Sequence, residues 1–420
     1  MTNSHTDIFT INGGYMLSGK TEVNGSKNAA LYAIAAALLT NEKIRYYNIP
    51  DISDIDDMLD ILKSLGANVS YNNDYLEINA NSIDGTSLSK ELSIKIRASI
   101  LVLGPLIARF GEAECFLPGG DAIGNRPIDI HIAGLMKLGT KVNVNQDKLI
   151  AKSTQLSGSK IVLDYPSVLG TINLVFAAVL ANGTTIITNV ATEPEVTMLL
   201  DLLILMGANI TGSGSQTLTI IGVKRLFGTE LRIIPDRIEA GTLMMAIAAT
   251  RGTGTIFNVC SEHMSAVIEK FKDANIIVMD YDNSIMIDAS NTIKSVNVQS
   301  VPYPGFPTDL QAPMAILLTQ ADGTSIIHER VFDNRMLYIN EINLMGANIK
   351  IDKQKIFIDG PKKLHGGSIK ALDVRAGAAA IIAGLAAEGE TIISDLFHLD
   401  RGYGKIEDQL KHLGAKILRK

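Results

Sequence analysis

The phrase LGANV at 65–69 returns as LGTKV at 138–142 and MGANI at 206–210, then as DANII at 273–277, MGANI at 345–349 and LGAKI at 413–417. The recurrence steps by about 70 residues and runs through the whole chain, so one supersecondary unit is used six times. Each copy reads alike. A helix apolar on every side comes first, as in AALYAIAAALL, ASILVLGPLIA, LVFAAVLA and AGAAAIIAGLAA. A turn such as NG, EG or DG follows, then a β-rich run such as TTIITNV or TSIIHE. A second, amphipathic helix, as in MLDILKSLGANV, stops at the repeat's glycine, whose missing Cβ suits a left-handed cap. One or two strands close the unit.

A helix apolar all round belongs in a core. Six of them predict helices inside and sheets outside, arranged either as two domains of three repeats or as one solenoid of six. The composition suits a globular fold: 420 residues, 46% hydrophobic and 20% charged. That length suggests two or three domains. A net charge of −6 provides no basic field for nucleic acid or a membrane surface. Cys115 and Cys260 lack CxxC spacing and fit a reducing compartment, and the histidines show no HExxH pattern, so no metal site is expected. The start, MTNSHTDIF, has no apolar signal region, and the apolar stretch 29–39 is too short for a bilayer. A soluble cytoplasmic protein is expected.

The starts of the apolar helices carry polar groups: Ser26-Lys27-Asn28, Arg97, Ser167, Asp236, Thr308-Asp309 and Asp373-Val374-Arg375. At Ser26, Thr308 and Asp236 an N-cap is the simplest expectation. Lys27, Arg97 and Arg375 oppose the dipole of a first turn and call for an anionic partner, such as a bound phosphate or carboxylate. PGGDAIGNRP at 118–127 is a Gly-rich loop of neither Walker nor GxGxxG type, readable as a surface turn or as a lid carrying Asp121. Arg335 and Arg401 stand at turns before the second helix of repeats five and six, where a solvated surface charge is the ordinary reading. His131 and His398 read as structural, and Cys115 as a buried, inert thiol.

Longer motifs add a resemblance. GSKNAAL at 25–31, KIRASILVLGPLIARFG at 95–111, LPGGDAIGNRPIDIHIAGL at 117–135 and IPDRIEAGT at 234–242 resemble the UDP-N-acetylglucosamine 1-carboxyvinyltransferase family of enolpyruvyl transferases. GFPTDLQA at 305–312, FDNRM at 332–336, DVRAG at 373–377 and HLDRGYGKIEDQL at 398–410 do so too, so the likeness covers essentially the whole chain. It implies a two-domain inside-out α/β barrel of six βαβαββ-type repeats, three per domain, with helices buried and sheets outside. One domain would be 21–229 with a lid loop at 112–126, the other 1–20 plus 230–420, with the active site in the cleft between them. The N-terminal strand would join the C-terminal half.

The implied reaction adds the 3′-hydroxyl of UDP-N-acetylglucosamine to C2 of phosphoenolpyruvate and expels phosphate, the first committed step of peptidoglycan synthesis. It needs no metal or organic cofactor, and its partners are these two small molecules, with no nucleic acid or membrane; a monomer is expected. By resemblance Asp309 is the base or hydroxyl-orienting carboxylate, and Lys27 contacts phosphoenolpyruvate. Arg126, Arg335, Arg375 and Arg401 hold its phosphate and carboxylate. Asn28 touches the sugar, Arg97 the phosphates, and Asp373 lies near the reacting carbon, while Asp236 is placed near the hinge between the domains. The stretch Arg126, Pro127, Ile128, Asp129 and Ile130, with Ser167 and Val168, lines the uridine diphosphate, and Val331 is a further substrate contact.

Two positions depart from the family. Asp121 stands where its lid carries cysteine, so Asp121 is the implied catalytic proton donor and the thiolate-alkylating antibiotic fosfomycin is expected not to inactivate this chain. Leu169 stands where a glycine approaches the uridine nucleotide. It keeps a second reading open, a paralogous enolpyruvyl transferase on another uridine nucleotide. A non-catalytic UDP-sugar-binding regulator is the third, and the complete set Lys27, Asp309, Arg375 and Arg401 argues against it.

Overall fold

The computed structural model describes residues 7–72, 74–120 and 127–420. Their contacts divide into two compact units. One comprises the described residues up to Asn24 together with Pro235–Lys420, and the other begins at Gly25 and ends at Ile234. The chain thus changes unit after Asn24 and after Ile234, a few residues beyond the boundaries at 20 and 229 expected from the sequence.

In the Gly25–Ile234 unit the buried helices are Lys27–Ala36, Leu103–Phe110 and Val168–Ala178. In the other they are Arg237–Ala249, Gln311–Leu318 and Val374–Ala386, which pack directly on one another. All six are apolar on every face because each is surrounded by other helices and by sheet. Each fully buried Leu, Ile or Met among them contributes on the order of 1.5–3 kcal/mol.

The sheets repeat one plan. In repeat four, Ser18–Glu22 runs parallel to Thr253–Phe257, which pairs antiparallel with Ser284–Asp288, and that in turn with Ile277–Tyr281. The same order recurs in repeats one, three, five and six. Repeat two has three strands, and a single parallel bridge from Ser87 to Glu114 stands in for the fourth. The first strand of each sheet closes the preceding repeat: Glu230–Arg232, which ends repeat three, pairs with Lys43–Tyr47 of repeat one. The other unit closes with the N-terminal segment. Phe9–Gly13 lies between Gly389–Ser394 and Lys416–Arg419, and Ser18–Glu22 supplies the first strand of repeat four.

The repeat glycines take the left-handed backbone their position requires, with φ of 100° at Gly66, 97° at Gly139, 98° at Gly207, 93° at Gly346 and 86° at Gly414. Repeat four differs from the expected register. Its left-handed residue is Asn275, with φ 65°, so the equivalent phrase begins at Ala274, one residue later than the expected Asp273. Asparagine tolerates this region better than other side chains. A second signature was not read from the sequence. Asn48, Asn189 and Asn258, at φ 61°, 61° and 58°, end the same strand in repeats one, three and four. Their side-chain amides donate to Ile233 O, Leu163 O and Val23 O of the neighbouring parallel strand.

The expected lid loop 112–126 begins as a strand. Glu112–Phe116 alternates, with Ala113 and Cys115 buried, and pairs with Lys148–Lys152.

Candidate active site

Asp309 lies in a single 3₁₀ turn, Thr308–Leu310, that leads into the buried helix Gln311–Leu318. Its carboxylate bridges two arginines from other parts of the same unit. Oδ1 accepts from Arg335 Nη2 at 2.6 Å and Oδ2 from Arg375 Nη2 at 2.7 Å. Burial alone would raise the Asp309 pKa, but the charges of Arg375 and Arg335 outweigh it and hold the carboxyl well below the usual carboxylate range.

Arg375 is positioned by a helix start. Asp373 caps Val374–Ala386 by accepting from Arg375 N at 2.7 Å and Ala376 N at 2.8 Å. The Asp373 carboxylate is therefore a cap, and it sets where Arg375 leaves the backbone. Arg335 comes from the turn before Tyr338–Leu344, and the surface-charge reading of it fails: the residue is 4% exposed. Its Nη1 donates to Thr308 Oγ1 at 2.6 Å, and the Thr308 hydroxyl donates to Glu329 Oε2 at 2.8 Å. Thr308 is thus no N-cap, contrary to expectation, because its hydroxyl is turned to the Arg335–Glu329 chain.

Sequence reasoning missed Glu329. It is fully buried at the end of Gly323–Glu329, and its Oε1 accepts from Val331 N at 2.8 Å and Phe332 N at 3.3 Å. Burial pushes its carboxyl up, opposed by those bonds and by the Arg335 charge. The available signal was a carboxylate at the strand end where repeats one, three and four carry asparagine. Glu329 thereby fixes the backbone at Val331. Arg401 follows the short helix Phe397–Asp400 in the same unit.

A different set gathers in the Gly25–Ile234 unit. Ser26 caps Lys27–Ala36, and Lys27 reaches Asp54 Oδ2 at 2.7 Å. Asp54 is 3% exposed in the first turn of Ser53–Ser64. That buried carboxylate answers the cation which the first turn of a helix would otherwise oppose. Asn28 stands next to it in the same turn, and Arg97 opens the 3₁₀ turn Arg97–Val102 with Nη1 directed at Pro118 O, 3.4 Å away. Ser167 caps Val168–Ala178 through Gly170 N at 3.2 Å. A Cβ on Gly170 would lie 2.8 Å from Ile130 Cγ2, so a glycine here lets the start of that helix meet the stretch Ile128–Asp129–Ile130. Pro127 precedes this stretch, and Asp129 opens the helix Asp129–Lys137. The two segments expected to line a uridine diphosphate are therefore neighbours. Asp121 and Arg126 lie outside the described residues.

His131 and Cys115 are structural. His131 is buried beside Asn173, whose Nδ2 lies 2.9 Å from its Nδ1, and burial lowers its pKa to about 4. Burial pushes the Cys115 thiol up to about 12. Among the described residues no group of His, Cys, Asp and Glu is placed to hold a metal ion, and no helix is long and apolar enough to cross a membrane.

Residues 11–410 match the family of EPSP synthase (3-phosphoshikimate 1-carboxyvinyltransferase). The chain belongs to this family of enolpyruvyl transferases. Within it, the chain is 44% identical to UDP-N-acetylglucosamine 1-carboxyvinyltransferase 1 of Caldanaerobacter subterraneus subsp. tengcongensis, over 96% of this chain and 97% of the relative. It is 46% identical to UDP-N-acetylglucosamine 1-carboxyvinyltransferase 1 of Carboxydothermus hydrogenoformans, over 98% of each. Among solved structures, the enolpyruvyl transferase NikO from Streptomyces tendae superposes with a TM-score of 0.89 over 99% of both chains at 23% identity. EPSP synthase from Acinetobacter baumannii superposes at 0.78 with 18% identity, covering 99% of this chain and 100% of that one. At those identities the two structures speak for the enolpyruvyl transferase fold alone.

Proposed function

We propose that the protein transfers the enolpyruvyl group of phosphoenolpyruvate to the 3′-hydroxyl of UDP-N-acetylglucosamine with release of phosphate, opening peptidoglycan synthesis. The observation that carries this reading is the Asp309 carboxylate bridging Arg335 and Arg375, a base and two anion-holding forks in one place. The hydroxyl oxygen bonds to C2 as its proton passes to Asp309, and a proton is delivered to C3. The C2–O bond to phosphate then breaks as a C3 proton leaves, which restores the double bond in an enol ether. Both steps build or shed negative charge on phosphate and carboxylate, and arginine forks suit those groups better than lysine.

In this reading Arg335, Arg375, Arg401 and Arg126 hold phosphoenolpyruvate with Lys27, and Asp121 delivers the C3 proton. Arg97, Ser167, Val168 and the 127–130 stretch hold the diphosphate and uridine, Asn28 and Val331 the remainder of the nucleotide sugar. The proposed setting is cytoplasmic, as a monomer, with no metal or organic cofactor.

Leu169 supports one alternative. It is the second residue of Val168–Ala178, directly after the cap that this reading places at the diphosphate, so another uridine nucleotide is the competing acceptor. Phosphate release from phosphoenolpyruvate decides between them. Release with UDP-N-acetylglucosamine and not with UMP is expected. Release with UMP alone would move the protein to the alternative acceptor, and no release with either would remove the transferase reading.

A further inference from the structure

We infer that, in the substrate-free protein, Asp309 occupies the place of a substrate anion on Arg335 and Arg375, so that phosphoenolpyruvate binds by displacing it and frees it as the base in the same exchange. The inference rests on the proposed reaction and adds an order to it.

The geometry is that of a bound anion. Each carboxylate oxygen meets a different guanidinium, at 2.6 and 2.7 Å, and the two arginines come from separate turns. A phosphate or carboxylate of the substrate presents oxygens of the same charge and hydrogen-bonding character. Arg335 does not depend on Asp309 for its place. Its Nη1 is held by Thr308 Oγ1, which Glu329 fixes in turn, and its guanidinium lies 5.1 Å from the centre of the Phe332 ring. Arg375 is set by the capped start of its own helix. The Arg335 fork therefore stays where it is when the aspartate leaves, and Arg375 keeps its backbone position.

A further observation points the same way. Arg335 Nε is a buried donor with no hydrogen-bond acceptor among the described residues. A buried donor left unpaired is costly, so the donor set of this guanidinium is incomplete without another oxygen.

Charge repulsion favours the exchange. Arg335 and Arg375 face two carboxylates, Asp309 on one side and Glu329 through Thr308 on the other. A multiply charged substrate added beside these arginines would meet Asp309 as a like charge in a site where the aspartate side chain is only 18% exposed. Giving the arginines to the substrate removes the clash. It also neutralises the two positive charges that make Asp309 a poor proton acceptor in the empty protein, so the carboxylate becomes a better base once the electrophile is in place.

The experiment is Asp309→Asn in the full chain, with binding of inorganic phosphate and of phosphoenolpyruvate measured by calorimetry, since the chain has no tryptophan to report binding by its own fluorescence. The neutral amide holds the arginines far more weakly than a carboxylate, so both anions are expected to bind about tenfold tighter or more, a change of roughly 1.4 kcal/mol. Unchanged or weaker binding would mean that Asp309 is a strut that orders the arginines, and would overturn the inference. Asp309→Ser, uncharged and smaller, serves if the asparagine variant does not fold. Turnover is read separately. Turnover retained in either variant removes the base role and with it the proposed reaction, whereas lost turnover with unchanged anion affinity overturns the exchange alone.

Discussion

The two units repeat the same fold three times each, yet they differ in what stands at the starts of their buried helices. In the Gly25–Ile234 unit the caps are hydroxyls, Ser26 and Ser167, and the charged groups beside them are Lys27 and Arg97. In the Pro235–Lys420 unit the caps are carboxylates, Asp236 and Asp373, and the third start carries Asp309. A serine cap satisfies one N–H and leaves the positive end of the helix electrically open, whereas an aspartate cap neutralises it. One scaffold thus yields a unit with hydroxyl caps beside Lys27 and Arg97, and a unit whose carboxylates cap helices, as Asp236 and Asp373 do, or bridge two arginines, as Asp309 does. The fold fixes where a group can stand, and the residue type at six equivalent places decides what each place does.

Arg375→Ala is the substitution expected to strain that comparison most. It leaves Asp309 with one fork and removes a substrate contact, so kcat/KM for phosphoenolpyruvate should fall by about 10²–10³-fold. Affinity for the nucleotide sugar, read by calorimetry, should stay within a few-fold. An equal loss of both would mean that the division of labour between the units is false.

A pair of overpacking variants sharpens it. A Cβ on Gly241 would lie 2.3 Å from Leu310 Cδ1, beside Asp309, and one on Gly104 would lie 2.5 Å from Asn173 O in the other unit. Each alanine is expected to cost about 1–3 kcal/mol in thermal or urea unfolding. Only Gly241→Ala should lower kcat as well, because only its neighbour adjoins Asp309, the proposed base; a matching kcat loss in Gly104→Ala would count against the assignment.

The smallest effect concerns pH. Glu239, in the helix Arg237–Ala249, accepts from Asn24 N at 3.0 Å, from the Asn24 side chain and from Gln409 Nε2. Burial, and after it the nearby Asp236 charge, raise its pKa from 4.5 to about 7. The folded protein then holds this proton more tightly than the unfolded chain. The stabilisation is complete below about pH 4.5 and is lost as pH rises through about 7. Glu239→Gln should flatten that part of the Tm–pH curve, with its largest gain over the parent near pH 8; parallel curves would show that Glu239 is ionised throughout.

Much of the fold was legible because it repeats. The glycine after each second helix marked five of the six caps, and the all-apolar helices announced their burial. The register failed only in repeat four, where Asn275 takes the left-handed position and leaves no glycine to find. The candidate site was legible by resemblance but not in its wiring. Asp309 meets Arg335 across 26 residues and Arg375 across 66, pairings that no local pattern encodes. Arg335 looked like a surface charge because a turn is normally solvated; here the preceding strand brings a buried Glu329 to it. Glu329 itself escaped notice because a single carboxylate at a strand end carries no periodicity.

In the proposed reaction Asp309 serves the chemistry while the Gly25–Ile234 unit holds the nucleotide. Asp309→Ala tests it most directly, with phosphate release from phosphoenolpyruvate and binding of UDP-N-acetylglucosamine measured on one preparation. Release is expected to fall by about 10²–10⁴-fold while nucleotide-sugar affinity is kept. Turnover and binding falling together, or turnover surviving, would contradict it.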